Sequence, residues 1–211
     1  MGKIKKGILG GFTGKVGTVV GAYWKGIAYM RSLAGSTRNP KSAKQTQHRL
    51  KFAMLSTFLS RILGFVNTGF RDQATSMTEM DAAFKTNFQN VFSGTYPDYE
   101  LLYNKLLVSK GNLEMPYSPS AVIDSQMLNV SWTDNSGIGR AEDTDQAMLL
   151  VYNSAKGQAV YSLNAGNRSE RLATLTLPSA WSGDSVDIWM AMHKADTTLT
   201  SDSVYLGNFS I

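Results

Sequence analysis

Eight side chains in the first quarter of this sequence have the types and spacing to hold an anion: Lys15, Lys25, Arg31, Arg38, Lys41, Lys44, His48 and Lys51. Three rings, Tyr23, Trp24 and Tyr29, are interleaved with them. Lysine and arginine neutralise phosphates, and an exposed ring offers a face on which a base stacks, each stack worth about 1–3 kcal/mol. The same rings also suit the inner face of a β-hairpin, and burial is the reading favoured for them. The cations are expected to meet an anionic partner, either nucleic acid or an acidic protein surface.

That expectation rests on how the charge is distributed. Thirteen Lys and Arg and no acid precede Asp72, whereas the rest of the chain carries eight cations and sixteen acids. The net +5 is therefore the sum of a +13 front and a −8 remainder. A surface with so many cations and no interspersed acid is unusual unless something negative rests on it. The two halves also complement each other, so a homo-oligomer or larger assembly is expected, built head to tail.

Other chemistries find little support. There is no cysteine, hence no disulfide, thiolate nucleophile, Cys-based metal site or lipoprotein anchor. His48 and His193 are too far apart in sequence for a paired-histidine motif, so no metal is expected. Gly10 to Lys15 resembles a phosphate-cradling loop only superficially, because Leu9 stands where its first glycine belongs and Val16 follows the lysine. Glu142, Asp143 and Asp145 read as a solvated loop rather than a calcium site. No Gly-x-Ser-x-Gly elbow or cleft-borne carboxylate pair is evident. No catalytic residue and no cofactor is assigned, and the chain is read as a non-enzyme.

Three compositional zones must position the basic residues. Residues 1 to about 38 hold nine of the nineteen glycines and short β-prone runs such as Thr18-Val19-Val20 and Ala22-Tyr23-Trp24. Lys25-Gly26 marks a hairpin turn and Gly21 a bulge or close backbone approach, so a small basic β-meander is predicted. Asn39-Pro40 then signals a helix start. Leu50, Met54 and Phe58 recur at helical spacing until Gly64 and the segment from Asn67 to Gly69 weaken the helix. Lys41, Lys44, His48 and Lys51 fall on one stripe of it, where positive charge opposes the helix dipole and invites an anion. A second helix is predicted from a Thr78-x-x-Asp81 cap through Phe84 and Phe88 to a stop at Gly94.

From about Leu106 the apolar period falls from 3.6 to 2. Leu128, Val130 and Trp132, then Met148, Leu150 and Tyr152, then Val186, Ile188, Met190 and Met192 are read as alternating with polar residues. Loops such as Asp134-Asn135-Ser136-Gly137 separate these runs, the pattern of an antiparallel β-sandwich. The predicted fold is α+β: a basic β-hairpin and helical module over residues 1–105, then an immunoglobulin-like sandwich over 106–211.

LNVSWTDNSG at 128–137 resembles the second strand of a fibronectin type III module, whose tryptophan fills the core. VDIWMAMHKADTTLTSDSVYL resembles its last two strands. GGFTGKVGTVVGAYWKGIAYMRS followed by NPKSAKQTQHRLKF resembles the opening of a Bacteroidota family classified as a domain of unknown function, and is similar to small proteins of phage-like gene neighbourhoods. The resemblance implies no activity and points towards a virion or mobile-element role. The opening residues are read as retained, because glycines and Lys15 interrupt any signal-peptide core. No run approaches the roughly 18–20 apolar residues of a membrane span. Cytoplasmic or virion-associated placement is expected. Three functions are thus carried forward: a structural or assembly component, a nucleic-acid-binding protein and a surface adhesion module.

Overall fold

Two strands in the second half of the chain, β9 (Gln146–Asn153) and β12 (Ser185–His193), are buried along almost their whole length. A strand sends alternate side chains to opposite faces, so a strand buried throughout must be covered on both sides. The rest of the structure supplies those two covers.

The structure is a computed structural model that describes residues 2–4, 7, 10–35 and 41–211. It is α+β, and divides into two compact units, Met1–Ser42 and Ala43–Ile211. In the larger unit β9 and β12 form the centre of a four-stranded antiparallel sheet, flanked by β10 (Gln158–Ser162) and β13 (Val204–Ser210) in the order β10-β9-β12-β13. A three-stranded sheet, β11-β8-β7, packs against it, built from β7 (Tyr117–Asp124), β8 (Met127–Thr133) and β11 (Leu172–Thr176). This is the fibronectin III-like sandwich read from the sequence. Trp132 fills the space between the sheets with Leu149, Val151, Ile188 and Met190, and the two segments matched to the last strands are β12 and β13.

The opposite face of the four-stranded sheet carries Met148, Leu150, Tyr152, Trp189 and Ala191. Helices cover it: α1 (Ala43–Arg61), α2 (Leu63–Gly69) and α3 (Glu79–Asn87), contributing Leu55, Phe58, Leu59, Phe65, Val66 and Ala83 to one core. Helices and sandwich therefore share their apolar interior. The compact units divide at Ser42, not between residues 105 and 106 where the change of period had placed the boundary.

Several local signals read differently in three dimensions. The alternation of Met148, Leu150 and Tyr152 is not with polar residues, since Leu149 and Val151 between them face the second core. The long helix breaks between Arg61 and Leu63, just before Gly64, and Gly64 itself lies within α2, where a Cβ would run into the Tyr161 hydroxyl of β10. Thr78 caps α3 through a capping box with Asp81, as read. The helix ends at Asn87, however, and Gly94 falls in a hairpin of β5 (Phe92–Thr95) and β6 (Asp98–Leu101). Asn87 terminates it by donating to Ala83 O within the helix and to Leu107 O, while accepting from Leu107 N of a segment twenty residues away.

Asp145, expected in a solvated loop, is fully buried in an ion pair with Arg168. Arg168 Nε and Nη2 each lie 3.0 Å from Asp145 Oδ2, and Nη1 and Nη2 also donate to Asn135 Oδ1 and Glu114 O. The Trp132 indole donates to the Arg168 carbonyl, tying the network to the sandwich core. Glu142 pairs instead with Lys194. Truncation of one member of a buried pair strands the other's charge, at a cost of about 3–5 kcal/mol. Arg168→Ala should lower the urea midpoint accordingly without changing the slope, while the paired change Arg168→Met with Asp145→Leu should lose less than either single truncation.

On the helix-covered face the Tyr205 hydroxyl donates to buried Asp187 Oδ1 at 2.6 Å. Burial, the Tyr152 hydroxyl and the Asp187 carboxylate push the Tyr103 phenol from its ordinary value near 10 up to about 12. The unfolded chain thus releases this proton at lower pH than the folded one, so its stabilising contribution is present below pH 10 and lost as pH rises towards 12. Denaturant midpoints measured across that window should fall, and Tyr103→Phe should flatten the fall.

Candidate anionic-partner interface

The smaller unit is the predicted meander, in the order β1-β2-β3-β4, with β1 (Lys3–Ile4), β2 (Phe12–Val16), β3 (Val19–Trp24) and β4 (Ile27–Ser32). Lys25 and Gly26 both take positive φ between the paired residues Trp24 and Ile27, as a two-residue hairpin of the twisted type requires. Gly21 permits a close approach, since a Cβ there would meet the Phe12 ring and carbonyl. Among the described residues of this unit only Gly21 is buried.

Strand register sorts the side chains into two unlike faces. Lys15 pairs with Val20, which pairs with Arg31; Ala22 pairs with Tyr29, and Trp24 with Ile27. Side chains of paired residues share a face, so Lys15, Arg31, Trp24 and Tyr29 lie on one side. Lys3 joins them through its pairing with Thr13. The other side presents Ile4, Phe12, Val16, Val19, Tyr23, Ala28 and Met30 and carries no charge. The proposed stacking trio is thereby split, with Tyr23 opposite the cations.

The rings are not buried. Tyr23, Trp24 and Tyr29 are 52%, 49% and 45% exposed, which overturns the inner-face reading. Four short strands with nine glycines in their segment have too little side-chain volume to close over these rings. Lys3, Lys15, Arg31, Lys41 and Lys44 are all exposed and pair with no carboxylate among the described residues. The Lys25 ammonium stands 5.7 Å from the Trp24 ring centroid, a cation–π distance.

The rest of the predicted set lies elsewhere. Arg38, with the Asn39-Pro40 start signal, falls outside the described residues. Lys41 precedes α1 with φ of +47°, so it leaves the helical stripe, which is reduced to Lys44, His48 and Lys51. These three converge with Gln47, Phe88 and Tyr99 on a hollow of about 230 Å³. The His48 ring packs 4.9 Å from Phe88, and Lys51 Nζ sits 4.4 Å from the Tyr99 ring centroid. Gln47, Phe88 and Tyr99 were missed: Phe88 reads as helix core, and only the alternation in Asp-Tyr-Glu-Leu flags Tyr99.

The remaining candidates are structural. His193 is buried, with Nδ1 2.7 Å from Lys194 O and Nε2 2.9 Å from Leu163 O. No group of three or more His, Cys, Asp or Glu placed to hold a metal occurs among the described residues. None of their helices is long and apolar enough to cross a membrane.

Residues 11–207 match a family of unknown function, DUF6266. The chain belongs to this family. No curated protein matches it. The DUF6266 match takes in the meander from β2 onward, the helical cover and nearly all of the sandwich.

A specific optical test follows from the geometry. Trp132, Trp181 and Trp189 are at most 5% exposed, leaving Trp24 as the one accessible indole, on the cationic face. Iodide should quench its emission strongly and caesium weakly, because the local potential concentrates anions. Trp24→Phe should remove the iodide-sensitive fraction. Equal quenching by the two ions would contradict a positive potential at this face.

Proposed function

We propose that this chain is a non-catalytic docking protein that attaches to an anionic partner through its cationic front and carries the sandwich as a stable body. The observation that supports this most is the exposed face of the meander on which Lys3, Lys15 and Arg31 stand without carboxylate partners among the described residues. Unpaired cations at this density repel one another, and an incoming anion relieves the repulsion as it releases counterions. All sixteen acids lie in the larger unit, so a second copy of the chain is one such partner and the assembly reading follows from it. A virion or other phage-derived particle is the setting that the opening segment's resemblance favours.

Nucleic acid is a second reading with its own support. Trp24 and Tyr29 share the cationic face and are half exposed, the combination of stacking platform and positive groove used on single strands. An acidic protein surface makes no special use of such rings.

Native full-length protein purified at about 50 mM salt, with and without nuclease, separates the readings by light scattering and absorbance. A nuclease-resistant oligomer that dissociates at high salt fits assembly, and a nuclease-sensitive complex fits nucleic acid. Lys15→Glu with Arg31→Glu should abolish whichever forms, with an unchanged thermal midpoint for the larger unit. A monomer free of bound material at every salt concentration would sink the docking reading.

A further inference from the structure

We infer that the hollow beside α1 holds one nucleotide of a single-stranded nucleic acid, an inference that rests on the second reading above. Lys44, Gln47, His48 and Lys51 stand at i, i+3, i+4 and i+7, one stripe of the helix, and all four line the hollow. Two ammonium groups, an amide and an imidazole thus converge on one hollow. No carboxylate is among the described residues that line the hollow. Asp98 and Glu100 flank Tyr99 in β6, and strand alternation sends them to the face away from it.

The other walls are aromatic and half-buried. Tyr99 pairs across the hairpin with Gly94, which sets no side chain beside it. Phe88 is fixed from behind by a stacked contact with Phe84 at 5.0 Å and an edge contact with Phe92 at 5.6 Å. Lys51 is held over both Tyr99 and Phe92, at 4.4 and 5.4 Å from their centroids, so its charge sits at the aromatic wall. A free inorganic anion would use the cations and waste the rings. A nucleotide uses both: the phosphate lies between Lys44 and Lys51 with Gln47 donating, and the base lies against Tyr99 and Phe88. At about 230 Å³ the hollow is smaller than the roughly 300–1,000 Å³ of pockets that enclose a whole drug-sized ligand. It therefore suits one unit of a strand whose neighbours run on outside.

The test is fluorescence anisotropy of the full chain with a dye-labelled oligothymidylate, and with inorganic polyphosphate as a competitor that has charge but no base. Tyr99→Ala should weaken oligonucleotide binding about fivefold or more, and Tyr99→Phe should restore it. Lys44→Gln, at an exposed position that leaves the core intact, should lower the slope of log affinity against log salt by about 0.7. Polyphosphate should bind Tyr99→Ala and the unchanged protein alike. If the hollow variants bind the oligonucleotide normally while Lys15→Glu with Arg31→Glu does not, the hollow inference falls and the docking reading stands. It falls equally if Tyr99→Ala and Tyr99→Phe lose affinity alike, if polyphosphate binding drops in parallel, or if the unchanged protein ignores the oligonucleotide, in which case the docking reading is judged by its own salt-sensitive partner.

Discussion

Two neighbouring strands with no polar face impose the largest constraint on this molecule. β9 reads Gln-Ala-Met-Leu-Leu-Val-Tyr-Asn, and β12 buries eight of its nine residues. Burial of each large apolar side chain contributes about 1.5–3 kcal/mol, so leaving either side of these strands in water would forfeit much of the fold's stability. The three-stranded sheet satisfies one side and the helices satisfy the other. Fibronectin-like modules need no helical cover when the outer face of their sheet is polar; here Met148, Leu150, Tyr152 and Trp189 make the cover obligatory.

The polar groups that such a packed interior cannot avoid are handled locally. Arg168 is caged by Asp145, Asn135 and the Glu114 carbonyl, and Asp187 receives the Tyr205 hydroxyl. Ser109 and Ser203 close the connection between helices and sandwich, with Ser109 donating to Ser201 O while Ser203 Oγ accepts from Val108 N. These bonds join segments more than ninety residues apart. They fix which way the helical cover sits on the sheet, a choice that apolar contact alone leaves loose.

What the sequence disclosed follows from the range of the interactions involved. Short-range chemistry was legible: the Lys25-Gly26 turn, the Thr78 cap, the alternation of β8, and the tryptophan of β8 in the sandwich core. Long-range contacts were not. That Gly64 makes room for the Tyr161 hydroxyl is invisible in sequence, and Asp145 looks solvated until Arg168, twenty-three residues on, is brought against it. The apolar residues between Met148 and Tyr152 did carry a warning, because a strand without polar alternation requires cover on two sides. Of the candidate site, the charge asymmetry was fully visible in composition. The division of the rings between two faces was not, because it depends on register, and a shift of one residue would have reversed it.

Apolar burial and a cationic stretch without acids consequently fall on different parts of the chain. Residues 43–211 bury two apolar cores and hold all the acids, so they are self-sufficient in both hydrophobic and electrostatic terms. The meander buries no side chain among its described residues, exposes its rings and has no acid to neutralise its cations. Each of those properties is unfavourable for an isolated sheet and favourable for one that gains its burial and its counter-charge from a partner. The two cores of residues 43–211 draw on no described residue of the meander, so the rings and cations of its described residues stand outside the packing of β9 and β12.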